Sequence, residues 1–400
     1  MVYIDVSHRR DASISIVLRF NTLGTMNQYE IMLEFLRSAV LGREPVLSQN
    51  TIVDWDVLMS MASGHGIIAW VWDGVCKLPQ DQQPPRQQRI NWGLSAQTIW
   101  ARYGRQEQLL NRLVDVCNQN NLRMVLLKGI SLAELYPKPQ SRPCGDIDIF
   151  VVNGFEMFNK LFIDNIVDSH VPYHTVLYFN DIMVENHADF LNPDLKRKKK
   201  INNYLKSTQN EIFMSEHGYY LLSPQAYLIF LTMHTMKHLY NEVFIPIRNV
   251  LDFAMFLVRY RNLLVSEECY RVLDDLRMAK EFELLICLAE NILGMRFDEY
   301  HRGLISQKQI LKLTNWMEND NKKHSEAQVA SLGLCNYLNY LIKRRCLSRY
   351  VIKMERLFGL KRRDYIYIKN RFVFLMRAVF HVPESEHFKG YLSRIIRRKY

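Results

Sequence analysis

Apolar residues recur at helical spacing through the first quarter of the chain. In residues 28–41 they return every three or four positions, and residues 55–75 continue the pattern, which places them on one face of an α-helix. A proline-containing stretch at residues 80–88 predicts a loop, and residues 94–117 predict a long amphipathic helix that a polar run ends. We therefore predict a mainly helical region at residues 1–100.

The pattern changes after residue 120. Residues 124–127 are an apolar run of strand length that stops at Lys128-Gly129, and a helix is predicted at residues 131–136. Three prolines between residues 137 and 143 force an extended loop. Residues 146–152 first alternate between acidic and apolar side chains and then become entirely apolar, which predicts a strand that runs into the core.

Helical patterning returns in the second half of the chain. Ser223-Pro224 is typical of a helix start, and the apolar run that follows is far shorter than the roughly 20 residues of a membrane span. The predicted fold class is α+β. A small mixed β-sheet core at residues 101–215 is embedded between the N-terminal helical region, residues 1–100, and a C-terminal helical region, residues 216–400.

Composition and charge limit the functional classes. The chain of 400 residues is 48% hydrophobic and 23% charged, as expected of a globular protein, and its seven cysteines show no C-x-x-C pairing. Charged residues precede any apolar run at the N-terminus, unlike the order in a secretory signal. We therefore expect a cytoplasmic protein without a transmembrane segment, a disulfide framework or a thiolate zinc site.

The net charge of +11 is concentrated at the C-terminus. Residues 341–400 hold 17 Lys or Arg against four acids, so the first 340 residues carry about −2 in total. This basic tail is typical of a solvated helix face, but it could also bind nucleic acid or an acidic surface. The run Lys196-Arg197-Lys198-Lys199-Lys200 is predicted to form a surface loop.

Asp146 and Asp148 are the central candidates for chemistry. Successive side chains of a strand point to opposite faces, so the two carboxylates share one face while Ile147 points to the core. Neighbouring carboxylates repel each other unless a cation neutralises them, and Mg²⁺ commonly bridges carboxylates and phosphates. The strand and glycine turn upstream offer backbone N–H groups to a phosphate, with Lys128 as a nearby charge. A lone D-x-D is also typical of a solvated strand end, and Lys128 of a surface lysine.

The order of motifs in this segment resembles that of the uncharacterised bacterial nucleotidyltransferase family, a branch of the polymerase-β-like superfamily. The motifs are Leu126-Leu127-Lys128-Gly129, Arg142-Pro143 and Gly145-Asp146-Ile147-Asp148-Ile149-Phe150-Val151, and the similarity extends over about residues 54–260. The resemblance implies that Gly129 and Ser131 contact nucleotide phosphates and that Asp146 and Asp148 bind metal. One departure is Ile130, which separates a glycine and a serine that are often adjacent in the superfamily.

The resemblance also implies a third carboxylate on a later strand. Ile182-Met183-Val184-Glu185-Asn186-His187 is similar to the apolar-acid-x-His strand of the family, which makes Glu185 the candidate. His187 lies on the same predicted strand face and could orient Glu185 or touch the substrate. Arg142 either binds the triphosphate or forms a salt bridge with an acid.

Two i, i+4 pairs in the C-terminal region have local interpretations. His234 and His238 could form half of a zinc site, but no third ligand is evident, which favours a packed pair with a substrate-side role left open. Arg248 and Asp252 are predicted to form an intrahelical ion pair, although an arginine at a cleft could also reach a phosphate.

The predicted function is metal-dependent transfer of a nucleoside monophosphate from a nucleoside triphosphate to an acceptor hydroxyl, with Mg²⁺ or Mn²⁺ bound by Asp146, Asp148 and Glu185. The acceptor, which could be a small molecule, a protein or RNA, is not specified by the sequence. Two alternatives stay open. One is a catalytically inactive binding protein on the same fold, and the other is an RNA-directed nucleotidyltransferase or toxin.

Overall fold

A computed structural model describes residues 26–48, 51–168, 173–192, 196–241 and 246–306, which all belong to one compact unit. The predictions for the basic tail at 341–400 fall outside the described residues. The helices are α1 (Gln28–Val40), α2 (Trp55–Gly64), α3 (Ile68–Val75), α4 (Arg86–Gln119), α5 (Ile130–Ala133), α6 (Phe155–Leu161), α7 (Lys196–Ser207), α8 (Pro224–Asn241), α9 (Ile247–Leu264), α10 (Glu267–Asp275) and α11 (Ala279–Leu293).

The described strands form one mixed sheet. They are β1 (Arg123–Leu126), β2 (Asp146–Val152), β3 (Ile166–Asp168), β4 (His174–Phe179), β5 (Ile182–His187), β6 (Phe213–Met214) and β7 (Tyr220–Leu221). Their order across the sheet is β3-β4-β5-β2-β1-β7-β6. Strand β2 lies between β1, which is antiparallel to it, and β5, which is parallel to it. The predicted α+β architecture, with a small mixed sheet between helical regions, is confirmed.

Strand β2 owes its central place to its sequence. Every residue from Ile147 to Val152 is buried, whereas Asp146 at the start of the strand is partly exposed. A central strand that is buried along most of its length needs apolar side chains on both faces. Asp146 therefore lies where the strand emerges from the core, whereas Asp148 is buried and needs a partner for its charge.

The N-terminal helices form as the apolar spacing predicts. Asn27 caps α1 by accepting a hydrogen bond from the backbone N–H of Glu30. Helix α3 packs so closely against α1 that only glycine fits at position 74. A Cβ on Gly74 would overlap the carbonyl oxygen of Phe35. Helix α4 begins directly after Pro85, so the predicted loop is shorter and the helix longer than expected.

The C-terminal helices cover another part of the core. Helices α8 and α9 pack against each other and bury most of their apolar side chains. Among the described residues, no helix combines the length and the apolar character needed to cross a bilayer. The predicted domain bounds after residues 100 and 215 stay predictions.

Two local expectations are wrong or only partly right. The basic run at 196–200 belongs to helix α7 and not to a surface loop, because Ile201 and Leu205, one helical turn apart, are fully buried and anchor that helix to the core. The helix after the glycine turn is also shorter than predicted, since α5 comprises only Ile130–Ala133.

Candidate active site

Gly129 makes the turn that follows β1. Its φ of +79° lies in the region that glycine adopts without a steric penalty. A Cβ at this position would stand 3.4 Å from the carbonyl oxygen of Asp146, so the turn approaches the start of β2 closely. Glycine is therefore favoured here by the backbone conformation.

Asp146 and Asp148 face the same side of β2, as predicted, and Lys128 lies between them. The Lys128 Nζ atom is 2.6 Å from Asp148 Oδ2, and it is 3.2 Å from Asp146 Oδ1 and 3.3 Å from Asp146 Oδ2. Only 19% of the Lys128 side chain is exposed, so it is not the surface lysine of the alternative interpretation. The ammonium group bridges the two carboxylates.

Strand β5 brings Glu185 and His187 to the same place. Glu185 is the register partner of Asp148 in the parallel pair β2–β5. His187 Nε2 is 3.2 Å from Asp148 Oδ1 and 3.3 Å from Glu185 Oε2, which confirms that Glu185 and His187 share a strand face. We call the five side chains the acidic cluster; its members are Lys128, Asp146, Asp148, Glu185 and His187.

The sequence analysis missed His174, which lies beside the acidic cluster. It sits on β4 as the register partner of His187. Its Nε2 atom is 3.8 Å from Glu185 Oε1, and the two imidazole rings are 5.3 Å apart. The only signal in the sequence was a histidine near the start of a short strand, and its place depends on the pairing of β4 with β5.

Burial and neighbouring charges shift the pKa values of the cluster. Burial alone would lower the pKa of Lys128, but Asp148 and Asp146 raise it above its ordinary value. Burial would raise the pKa of Asp148, yet the Lys128 ammonium and His187 hold it well below its usual range. For His187, hydrogen bonds to Asp148 and Glu185 outweigh burial and raise the pKa to about 9. Asp148 thus stays ionised and attracts cations.

Part of the cluster has a donor set that fits a divalent metal ion. One ligand atom each from Asp148, Glu185 and His187 lies within 4.8 Å of the other two. Carboxylate oxygens and an imidazole nitrogen suit first-row divalent ions such as Mn²⁺. This set overlaps the predicted metal ligands in Asp148 and Glu185 but contains His187 in place of Asp146, whose carboxylate is 3.2 Å from Lys128. The assignment of individual ligands stays a prediction.

Arg142 lies deep in the protein and is paired with an acid. Its Nε donates to Asp252 Oδ1 over 2.9 Å and its Nη2 to Asp252 Oδ2 over 2.6 Å, while Tyr136 donates to the same carboxylate. We call Arg142, Asp252 and Tyr136 the Arg142 cluster. Of the two predicted roles for Arg142, the structure contains the salt bridge, and the triphosphate contact stays a prediction. The ion pair predicted between Arg248 and Asp252 is wrong, because Arg142 takes that carboxylate and Arg248 Nη1 donates to the carbonyl of Pro143.

Ser131 lies in α5 and is buried. Its hydroxyl forms a 2.8 Å hydrogen bond with the hydroxyl of Tyr227 on α8. A phosphate contact by the Ser131 side chain stays a prediction, and it requires that hydroxyl to change or share its partner. The structure therefore brings Lys128, Gly129 and the three carboxylates together but directs Ser131 and Arg142 toward other side chains.

Of the two histidines of α8, the structure describes the side chain of His234. His234 stacks on Phe230 with ring centroids 5.8 Å apart. The side chain of His238 lies outside the described residues. The packed pair of His234 and His238 therefore stays a prediction.

Comparison with known proteins adds one positive finding. The model of a protein family described as "Uncharacterised nucleotidyltransferase" matches residues 51–294, which is more than half of the chain. No curated protein and no solved structure matches the chain significantly. The matched segment includes the whole described sheet and every member of the acidic cluster.

Proposed function

Because the chain belongs to the uncharacterised nucleotidyltransferase family, we propose that it transfers a nucleoside monophosphate from a nucleoside triphosphate to an acceptor hydroxyl with a divalent ion, Mg²⁺ or Mn²⁺. The observation that carries the proposal is the meeting of Asp146, Asp148 and Glu185 beside the Gly129 turn. Three largely buried carboxylates on the neighbouring strands β2 and β5 have a large desolvation cost unless cations compensate it.

Asp148 and Glu185 are the residues that would hold the ion, with Asp146 or His187 completing the set. When bound, the divalent ion would neutralise phosphate charge and polarise the phosphorus under attack. Lys128 adds a permanent positive charge next to the carboxylates. Phosphates approaching the Gly129 turn would meet backbone N–H groups without hindrance from a side chain.

The same carboxylates can activate the acceptor hydroxyl. Either Asp148 or Glu185 would take the proton from the attacking hydroxyl, since both are ionised at neutral pH. His187 orients both carboxylates through its contacts at 3.2 and 3.3 Å. Pyrophosphate is the expected leaving group.

The test is to incubate the full chain with each of the four nucleoside triphosphates labelled at the α-phosphorus, together with Mg²⁺ or Mn²⁺ and a cell extract. Labelled product that depends on the added chain is expected with at least one nucleotide labelled at the α-phosphorus, and no chain-dependent labelling is expected when the label is at the γ-phosphorus. The matched variants are the double substitution D146N/D148N, expected to abolish labelling, and D181N, which removes an exposed acid from the β4–β5 turn and should leave labelling intact. Labelling that survives D146N/D148N, or no labelling by the wild type, would contradict the proposal.

A further inference from the structure

The two oxygens of the Asp148 carboxylate face two different cationic partners. Oδ2 is 2.6 Å from the ammonium of Lys128, and Oδ1 is 3.2 Å from the imidazole of His187. Only 2% of the Asp148 side chain is exposed. Because its two oxygens have different partners, this buried carboxylate separates two positions at which a cation can lie. One is on the Asp146 side and the other is on the Glu185 side.

The position on the Asp146 side already contains a cation. Lys128 Nζ is within 3.3 Å of both Asp146 oxygens and also contacts Asp148. A divalent ion bridging these two carboxylates would need the same space. The ammonium of Lys128 is held there by Asp146 and Asp148, and its backbone is fixed by the adjacent Gly129 turn. A metal ion that displaced the ammonium would break two ion pairs in a largely buried site.

The position on the Glu185 side has the spacing of a shared metal site. Ligands of one first-row ion stand about 3 Å apart, because each metal–ligand bond is about 2.0–2.2 Å long. His187 Nε2 is 3.2 Å from Asp148 Oδ1 and 3.3 Å from Glu185 Oε2. One N–H cannot point well at two acceptors, whereas one ion can bind all three groups.

Charge balance favours one ion over two before the nucleotide binds. The cluster contains three carboxylates, and Lys128 compensates one of them. A single divalent cation compensates the other two when it replaces the proton on His187 and binds the neutral imidazole. A second divalent cation would leave a buried excess of positive charge.

We propose that Lys128 takes the place of one of the two divalent cations that such transfer reactions can use, and that a single divalent ion binds to Asp148, Glu185 and His187. This inference rests on the proposed function. It assigns His187 as a direct ligand, and an imidazole in the set favours Mn²⁺ or a later first-row ion over Mg²⁺.

The number of bound ions tests this inference directly. The full chain is titrated with Mn²⁺ in the absence of nucleotide, because triphosphates bind Mn²⁺ themselves, and the bound ions per chain are counted by electron paramagnetic resonance. We expect one ion for the wild type, two for K128M, in which the position between Asp146 and Asp148 becomes free, and one for K128R, which keeps the charge.

Two ions in the wild type, or one in both the wild type and K128M, would overturn the inference but leave the proposed function standing. No bound ion in the wild type would overturn both. The wild-type count stands if K128M fails to fold. Pulsed electron paramagnetic resonance of the Mn²⁺-bound wild type gives a second readout, because an imidazole bound directly to the ion shows a coupling between its nitrogen and Mn²⁺. This coupling should disappear in H187Q and persist in H174Q. Its absence from the wild type would overturn the assignment of His187 as a ligand.

Discussion

Two buried charge clusters lie close together in the chain but differ in composition. In the Arg142 cluster one guanidinium meets one carboxylate through two parallel hydrogen bonds, and a tyrosine hydroxyl donates a third. In the acidic cluster three carboxylates face a single lysine and a histidine. Only three residues, 143–145, separate Arg142 from Asp146.

The difference separates a structural cluster from a binding site. A bidentate Arg–carboxylate pair is complete in itself, since the charges cancel and the planar groups match. The acidic cluster keeps an excess of carboxylates that the protein alone does not balance, and such an excess is retained where a cation or a substrate completes it. The same physical cost of burial thus leads to opposite conclusions about function in the two clusters.

The largest effect is expected from a substitution of Asp148, which lies at the centre of the acidic cluster. Asp148 contacts both Lys128 and His187, so D148N should lower label transfer by about 1,000-fold or more. Asp146 contacts only Lys128 among these residues, and D146N should cost less. The ratio of kcat/KM for the two variants checks this order, and an equal or reversed order would contradict the central role of Asp148.

Substitutions in the Arg142 cluster should lower the stability of the protein. R142M leaves the Asp252 carboxylate buried without its partner and should lower the free energy of unfolding by about 3–5 kcal/mol. The control is R105M, which removes an exposed partner of Asp181 and should cause no measurable change. Urea unfolding of both variants gives the comparison. If R142M were as stable as the wild type, the Arg142 cluster would not be structural.

The regular parts of this fold could be predicted from local pattern. Strand β2 forms at the predicted residues, where acidic and apolar positions alternate and then become apolar. Helix α1 ends within one residue of its predicted end, because its apolar residues recur at helical spacing. The basic run at 196–200 was misleading, since the charge pattern hid the buried Ile201 and Leu205 that make it helical.

The partners of charged residues could be predicted less well. Arg248 and Asp252 have ideal spacing for a helical pair, but Asp252 binds Arg142, which is 110 positions away in the chain. Sequence spacing does not reveal such a competitor, because it acts through tertiary packing. Asp146 and Asp148 could be singled out from the alternation along β2, whereas Glu185 was a candidate only because the resemblance to a family implied a third carboxylate on a later strand.

Addition of Mn²⁺ should stabilise the protein through the acidic cluster and not through the Arg142 cluster. Mn²⁺ at about 100 times its dissociation constant should raise the free energy of unfolding of the wild type by about 2.7 kcal/mol. D148N should gain little, because it removes the carboxylate common to both cation positions. Thermal unfolding with and without Mn²⁺, followed by chelation to reverse the effect, provides the measurement. An equal gain in D148N would place the ion elsewhere.

The smallest expected effect concerns the histidine of the cluster. H187Q should weaken Mn²⁺ binding by about 10–100-fold, because His187 contacts both Asp148 and Glu185 and either binds the ion or orients those ligands. The matched control is H234Q on α8, where the ring stacks on Phe230 and the affinity for Mn²⁺ should not change. Isothermal titration with Mn²⁺ measures both variants. An unchanged affinity in H187Q would remove His187 from the site and leave the three carboxylates with Lys128 as its chemical basis.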